Sequence, residues 1–277
     1  MPLKLMYITN IPEIAQIAES AGVDRIFVDM EFIGKDQRQA GLDTVKSHHT
    51  IADIHRIRQA IEVAELLVRI NPIHNRSDCY GSSKEEIDEA IENGADILML
   101  PYFKTAAEVG NFIRLTGGRA KTMLLLETPE AVTCLDDVLS IDGIDEMFIG
   151  LNDLSLGYGK QFMFELLADG TVEELCYKFK KKGLPYGFGG IAALNKGKLP
   201  AEKIIIEHYR LGSTCAILSR SFCNVSCIKH MGLISSTFIN GVRSIREFER
   251  EAAFHYDYFT NNKENVTIAV RNIIEKQ

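Results

Sequence analysis

Hydrophobic residues along this chain fall into short, nearly continuous runs, and an amphipathic segment precedes most of them. Four strand-like segments begin two or three residues after a glycine that ends a helical pattern, and their apolar parts read IFVDM, ILMLP, MFIGL and AILSR. Glycine is favoured just past a helix end because it adopts the left-handed conformation without a Cβ clash. Continuous apolar runs are typical of strands covered on both faces. The pattern therefore predicts a parallel sheet with helices packed on it.

Eight strands and the helices between them set the predicted fold. The predicted strands cover residues 4–9, 25–31, 66–71, 97–103, 122–127, 146–152, 186–192 and 214–222, and helical patterns between them include residues 50–63, 83–92, 106–115 and 201–211. Regular alternation predicts right-handed βαβ units. Eight near-equal repeats favour a closed barrel over an open doubly wound sheet, which would also want GxGxxG after its first strand. We predict an α/β fold, a single-domain (β/α)8 TIM barrel at residues 1–240, with a C-terminal helical extension at residues 241–277 packed on the barrel or on a neighbouring subunit.

Composition and charge restrict the possible partners. The 277 residues are 46% hydrophobic and 25% charged, which suits one large soluble domain. The net charge of −7 and the absence of a basic face argue against nucleic-acid binding. No apolar run approaches the roughly 18 residues of a membrane span, and the first residues do not resemble a signal peptide. We therefore expect no membrane partner, a cytoplasmic location and reduced, mainly buried cysteines.

Charged residues follow several of the apolar strands, at the end where barrels of this kind carry their function. The second strand ends at Asp29 and Glu31, the third at Arg69, the fifth at Glu127 and the sixth at Asp153. These strand ends predict a ring of ionisable groups around one mouth of the barrel.

Glu127 and Asp153 are the candidate metal ligands. They follow neighbouring strands, and two carboxylates with open room above them suit Mg²⁺ or Mn²⁺, which keep water or substrate oxygens on their other positions. The alternative is that one of them caps the following helix, because Asp153 precedes Leu154 and Glu127 lies just before Pro129. The residues alone leave both interpretations open.

Two further features of the mouth have two interpretations each. Arg69 either forms a structural ion pair with Asp29 or Glu31, or clamps an anion and stabilises developing enolate charge. The glycine-rich residues 187–190 either form a backbone cradle for an anion or permit tight barrel packing.

Five segments together resemble a known family. They read DMEF, VRINP, ENGADILMLPYF, LLLETPEAV and GIDEMFIGLNDLSLGYG, in that order. Over residues 14–159, and more weakly through the eighth strand, the chain resembles the HpcH/HpaI aldolase and citrate lyase β-subunit superfamily. The resemblance implies a (β/α)8 barrel that binds pyruvate or its enolate on a divalent metal, with Glu127 and Asp153 as the metal ligands and Arg69 stabilising the enolate oxygen. We place the following residues in the substrate-binding set, the first three through their backbone: Gly150, Leu151, Asn152, Asp29 and Glu31.

The chain departs from the family pattern in its acid and base residues. The aldolases of this superfamily usually carry a histidine directly after the Asp-x-Glu unit, whereas this chain has Phe32 at that position. The acidic partner on the helix before the fourth strand is matched by Glu92. We hypothesise that a loop histidine replaces the missing base, with His48, His49 and His74 as candidates. The alternative is that these histidines are simply exposed to solvent.

The combined expectation is a class II aldolase type of carbon–carbon lyase that depends on Mg²⁺ or Mn²⁺. It would form or cleave a small 2-oxo-acid through metal-bound enolpyruvate, as a homo-oligomer. Two alternatives stay open. One is a citrate-lyase-like acyl-CoA lyase, and the other is a non-catalytic metabolite-binding barrel that has lost its base histidine.

Overall fold

A computed structural model describes residues 1–35, 47, 49–225, 227–228, 230–252 and 256–276. Its eight strands are all parallel and close into a barrel in sequence order, with the last strand pairing with the first. The strands are β1 Lys4–Ile8, β2 Arg25–Asp29, β3 Glu65–Arg69, β4 Ile97–Leu100, β5 Lys121–Leu126, β6 Glu146–Ile149, β7 Tyr186–Ile191 and β8 Cys215–Leu218. The predicted (β/α)8 TIM barrel is confirmed.

Helices connect the strands and cover the outside of the barrel. Those within the described ranges are α1 Pro12–Ser20, α2 Ile51–Ala60, α3 Ser83–Glu92, α4 Ala106–Thr116, α5 Pro129–Thr133, α6 Leu135–Leu139, α7 Leu151–Gly157, α8 Glu165–Ala168, α9 Thr171–Lys182, α10 Ala201–Leu211, α11 Met231–Ala252 and α12 Tyr256–Ile274. Capping boxes begin α2, α3 and α4 at Thr50, Ser82 and Thr105. In each, the N-cap residue and an acid three positions later satisfy each other's backbone N–H groups, which fixes where the helix starts.

The core has two layers, one inside the barrel and one between the sheet and its helices. Side chains that fill the barrel include those of Met6, Phe27, Leu67, Met123 and Phe148. A much larger cluster joins the outer faces of the strands to the helices. This two-sided burial explains the continuous apolar runs in the sequence.

The cysteines are free thiols in the structure. Cys176, Cys215 and Cys223 are buried, as the apolar patterns around them predict, whereas Cys79 and Cys227 are exposed.

The two C-terminal helices pack on this chain's own barrel. Helix α11 lies against α1 and α10, and α12 lies against α10 and α8. A buried hydrogen bond of 2.8 Å from Asn262 Nδ2 to Glu207 Oε1 fixes α12 on α10. Helix α11 runs without interruption past residue 240, so the division placed between residues 240 and 241 falls inside a helix.

None of the helices within the described ranges combines the length and the apolar character that crossing a bilayer requires.

Candidate active site

A cavity of about 320 Å³ opens at the carboxyl ends of the strands. We call it the mouth cavity. Its floor is apolar and includes the side chains of Phe27, Met99, Leu125 and Phe148. Six of the residues predicted from the sequence line it, namely Arg69, Glu127, Gly150, Leu151, Asn152 and Asp153. The predicted ring of charged groups and the cavity thus lie at the same end of the barrel.

Glu127 is held in place by backbone groups from both sides. The N–H of Tyr102, just past β4, donates a 3.0 Å hydrogen bond to Glu127 Oε1. Tyr102 adopts a left-handed conformation with φ +48°, which is uncommon for a residue with a Cβ. On the other side, a Cβ added to Gly150 would lie 2.7 Å from both Cβ and Oε2 of Glu127. Glycine is therefore required at position 150 for this carboxylate to sit beside the start of α7.

Neither candidate metal ligand is an N-cap residue. Thr128 caps α5, because its side chain accepts a 3.1 Å hydrogen bond from the N–H of Ala131. Gly150 occupies the N-cap of α7, and Asp153 lies within the first turn of that helix. Asn152 Nδ2 donates to Asp153 Oδ1 at 3.0 Å. The capping interpretation does not account for these two acids, and both line the mouth cavity instead.

The donor set at the mouth fits a divalent cation with few protein ligands. Within the described residues, no cluster of three or more histidine, cysteine, aspartate or glutamate side chains could hold a metal ion. Two carboxylates facing one cavity are the number that Mg²⁺ commonly takes from a protein, with water and substrate oxygens completing its shell. Glu127 and Asp153 would hold such an ion.

Arg69 forms the ion pair that the sequence left open, and it also lines the mouth cavity. Its Nε and one terminal nitrogen bind the two oxygens of Asp29 at 2.8 and 2.7 Å, and Glu31 Oε2 lies 3.5 Å from Nε. Burial alone would lower the pKa of Arg69, but the carboxylates of Asp29 and Glu31 outweigh it and raise that pKa. Since the guanidinium also lines the cavity, the ion pair fixes a permanent positive charge at the mouth.

Lys35 is a mouth residue that the sequence interpretation missed. Its side chain lines the cavity, and the residue is only 4% exposed. Its Nζ lies 2.9 Å from Asp29 Oδ2 and 3.5 Å from Glu31 Oε2. Burial alone would raise the pKa of Asp29, but Arg69 and then Lys35 hold it well below its usual range. The signal in the sequence was a lysine shortly after a strand that ends in two acids.

Phe32 lies outside the mouth cavity. It borders a second cavity on the β2 and β3 side, which we call the side cavity, lined among others by Phe32, His49, His74, Tyr80 and Glu86. The Phe32 ring is 50% exposed and stands edge-to-face against Tyr80, with ring centroids 5.8 Å apart. The residue in the family's histidine position therefore points away from the groups at the mouth.

The candidate histidines do not line the mouth cavity where the structure describes them. His49 Nδ1 accepts a 2.9 Å hydrogen bond from the backbone N–H of Asp29, and burial lowers the pKa of His49. His74 lies in the side cavity, where its ring nitrogens contact the carbonyl oxygens of Pro72 and Gly81 at 2.8 and 3.0 Å. His48 lies outside the described residues. In this structure His49 binds the backbone of Asp29 and is not among the residues that line the mouth cavity.

The structure does not bring Glu92 to the mouth. It is an exposed residue at the last position of α3, which precedes β4, so it lies at the amino-terminal end of the barrel. The acid of α3 on the mouth side is Glu86, whose Oε1 accepts a 2.8 Å hydrogen bond from Asn71 Nδ2. Burial raises the pKa of Glu86. We therefore leave Glu92 out of the proposed site.

Comparisons with known proteins show which family this chain resembles. The sequence profile described as HpcH/HpaI aldolase/citrate lyase matches residues 5–164. A hydroxypyruvate/pyruvate aldolase of Roseovarius nubinhibens is 22% identical over an alignment of 160 residues that covers 53% of this chain and 61% of that protein, so the match spans less than two thirds of that relative's length.

Two solved structures share the fold. An HpcH/HpaI aldolase from Desulfitobacterium hafniense superposes with a TM-score of 0.59 at 17% identity, covering 89% of this chain and 93% of that one. An HpcH/HpaI aldolase/citrate lyase family protein from Burkholderia cenocepacia gives a TM-score of 0.61 at 15% identity, covering 88% and 95%. At these identities the superpositions support the barrel fold alone. The profile match spans more than half of the chain, and the chain therefore belongs to the HpcH/HpaI aldolase/citrate lyase family.

Proposed function

We propose that this protein is a divalent-metal-dependent carbon–carbon lyase that cleaves or forms a small 2-oxo-acid. The observation that carries the proposal is that Glu127 and Asp153 line one cavity together with Arg69. The family is described as containing aldolases and citrate lyase, and one relative is named for hydroxypyruvate and pyruvate. These names point to 2-oxo-acids as the substrate class.

The metal would supply electrophilic catalysis. Held by Glu127 and Asp153, Mg²⁺ or Mn²⁺ would polarise the ketone oxygen of a 2-oxo-acid so that the neighbouring carbon more readily carries negative charge. Arg69 lines the same cavity, and Asp29 fixes its orientation through two hydrogen bonds. A preorganised guanidinium stabilises an enolate oxygen without having to reorient during the reaction. The backbone at Gly150, Leu151 and Asn152, which lines the same cavity, would receive the substrate carboxylate.

The size of the cavity and the cations that border it support a small anionic substrate. A volume of about 320 Å³ lies at the lower end of the range for ligand pockets. Three cationic side chains border it, those of Lys35, Arg69 and Arg220. The floor is apolar, which favours a compact acid over a long thioester arm buried in the barrel.

The test measures two reactions with and without metal. Purified protein stripped with EDTA would be assayed for decarboxylation of oxaloacetate and for condensation of pyruvate with a panel of small aldehydes, before and after Mg²⁺ or Mn²⁺ is restored. We expect both activities to depend on the metal. Glu127→Gln and Asp153→Asn should each lose at least about 100-fold, since each removes one charged ligand from the metal.

Glu130→Gln is the matched control. Glu130 lies three residues from Glu127, is half exposed and pairs with Lys104 at 3.0 Å on the surface. Its substitution should leave both activities unchanged. Full activity after EDTA treatment, or in Glu127→Gln, would overturn the proposal. Turnover only with a coenzyme A thioester would favour the acyl-CoA lyase, and metal and oxalate binding without turnover would favour the non-catalytic barrel.

A further inference from the structure

The turn after β2 brings Lys35 back over the mouth. The backbone N–H of Lys35 donates a 3.2 Å hydrogen bond to the carbonyl oxygen of Phe32, which closes a four-residue turn. Gly34 has φ +73° in this turn, a conformation that residues with a Cβ rarely adopt. Asn71 Oδ1 accepts the N–H groups of both Phe32 and Ile33 at 2.9 Å and so holds the turn from β3. The turn directs Phe32 outward and Lys35 inward.

Two carboxylates among the described residues orient the ammonium of Lys35. Asp29 and Glu31 face its Nζ at 2.9 and 3.5 Å, and the residue also lines the mouth cavity. An ammonium carries three N–H groups, and one of these donates to Asp29 Oδ2 at 2.9 Å while Glu31 lies at ion-pair distance. The residues that the structure describes leave a further N–H of Lys35 to a group bound in the cavity.

The other ionisable side chains of the mouth cavity are poor proton carriers. Among the described residues that line it, these are Arg69, Arg220, Glu127 and Asp153. Arginine stays charged in proteins. Glu127 and Asp153 are the acids that would hold the metal. A lysine exchanges protons and is a recognised acid or base in enzymes.

We propose that Lys35 is the residue that transfers the proton of the aldehyde-side oxygen, in place of the histidine that Phe32 replaces. This inference rests on the proposed lyase function. In condensation, the electron pair of the enolate carbon forms the new carbon–carbon bond, the carbonyl electrons move to the aldehyde oxygen, and that oxygen takes a proton from the Lys35 ammonium. In cleavage, the Lys35 amine takes the proton from the hydroxyl as the same bond breaks and its electron pair returns to the enolate.

The experiment separates this step from the rest of the site. Decarboxylation of oxaloacetate passes through the same enolate but has no aldehyde oxygen to protonate. Lys35→Arg keeps the charge that pairs with Asp29 and Glu31 but exchanges protons poorly, and Lys35→Met removes both properties. Both variants and the wild type would be assayed for oxaloacetate decarboxylation, and for condensation of pyruvate with the aldehyde that the wild type uses fastest.

We expect Lys35→Arg to decarboxylate oxaloacetate within about 3-fold of the wild type and to lose about 10²–10⁴-fold in condensation, the range that general acid–base groups contribute. Lys35→Met should lose condensation to a similar extent. The decarboxylation rate also shows that the variants are folded.

Several results would overturn the inference. If Lys35→Arg condenses pyruvate at the wild-type rate, the residue acts only through its charge. Equal losses in both reactions would mean that Lys35 serves to position Asp29 and Arg69. A wild type that decarboxylates oxaloacetate but accepts no aldehyde would refute the role of Lys35 while leaving the metal site standing. A wild type without either activity would refute the proposed function itself.

Discussion

The two ends of the barrel both contain buried ion pairs, but their acids have different neighbours. At the amino-terminal end, Arg25 is fully buried. Its two terminal nitrogens donate hydrogen bonds to the two oxygens of Glu146, one of them at 2.8 Å. Its Nε donates a third hydrogen bond to Glu65 at 2.9 Å. At the carboxyl end, Arg69 pairs with Asp29 in a similar two-bond arrangement. The difference lies in the surroundings of one acid at each end. Glu146 has both of its oxygens on one arginine, whereas Glu127 borders a cavity.

Burial by itself therefore does not mark the active end. Glu146 is 7% exposed and Glu127 is 4% exposed, so exposure does not distinguish a structural acid from a candidate ligand. Their partners do. Glu146 is neutralised by a guanidinium, and Glu127 accepts a backbone N–H from Tyr102 while facing open space. We infer that the amino-terminal cluster serves stability and the mouth serves chemistry, and substitutions at the two ends can test this separation.

The largest expected effect on stability is at the amino-terminal end. Arg25→Met leaves Glu146 buried without its cation, which should lower the free energy of unfolding by about 3–5 kcal/mol. Urea denaturation followed by circular dichroism would measure the loss. A loss below about 1 kcal/mol would contradict the structural role of this cluster.

Arg69→Met is the matched substitution at the mouth. It should reduce the rate of oxaloacetate decarboxylation by about 10²–10³-fold, because one preorganised group for the developing oxyanion is lost. Its effect on unfolding should be smaller than that of Arg25→Met, since Lys35 remains 2.9 Å from Asp29 to neutralise it. If the two variants lose equal stability and Arg69→Met keeps its activity, the division between the ends fails.

A methyl group added at the mouth should have an intermediate effect. The Cβ of Gly150→Ala would meet Glu127 at 2.7 Å, so the variant should lose about 1–3 kcal/mol of stability through overpacking, together with metal-dependent activity. Gly110→Ala is the control, because a Cβ there meets nothing within 4 Å and alanine is favoured in a helix interior by about 0.5–1 kcal/mol. Thermal unfolding and metal titration of both variants would measure the contrast. Unchanged metal affinity in Gly150→Ala would show that Glu127 is not constrained as described.

The barrel could be predicted from the sequence more accurately than its mouth. All eight strands were expected, but each prediction extended one to four residues too far at its carboxyl end. The excess is largest at β8, predicted to residue 222 and ending at Leu218, and at β4 and β6. Hydrophobic patterning reflects burial, and residues just beyond the strands are also buried because they line or support the site. Pattern alone cannot separate a strand from the loop that follows it.

Lys35 and Glu92 show why side-chain placement was harder to predict than the fold. Matching positions along the chain assigned Glu92 to the chemistry, but α3 begins on the mouth side and carries its last residue to the opposite end of the barrel. Lys35 reaches the mouth because the turn that contains Gly34 is held by Asn71. The hydrogen bond from Ile33 to Asn71 joins residues that are 38 positions apart in the sequence. Such contacts depend on tertiary structure and leave no periodic signal in the sequence. Arg69 ends a strand, Glu127 directly follows one, and Asp153 lies in the first turn of the helix after one. For these three residues the position in the barrel was sufficient to predict that they lie at the mouth.

The smallest predicted effect is a pH dependence confined to the amino-terminal end. Burial alone would raise the pKa of Glu65, but hydrogen bonds from Lys121 at 2.6 Å and Arg25 at 2.9 Å lower it from 4.5 to about 2. Because this pKa is lower in the folded than in the unfolded protein, its stabilising contribution is complete above about pH 5 and is lost as the pH falls towards about 2. The contribution should be about 1 kcal/mol, since Glu65 is partly exposed and water screens its charge. Unfolding free energies of the wild type and Glu65→Gln, measured in urea from pH 7 to pH 3, should converge as the pH falls below about 4.5, while decarboxylation at neutral pH should be the same for both. A constant difference across that range, or a loss of activity in Glu65→Gln, would mean that the charges at the two ends are not independent.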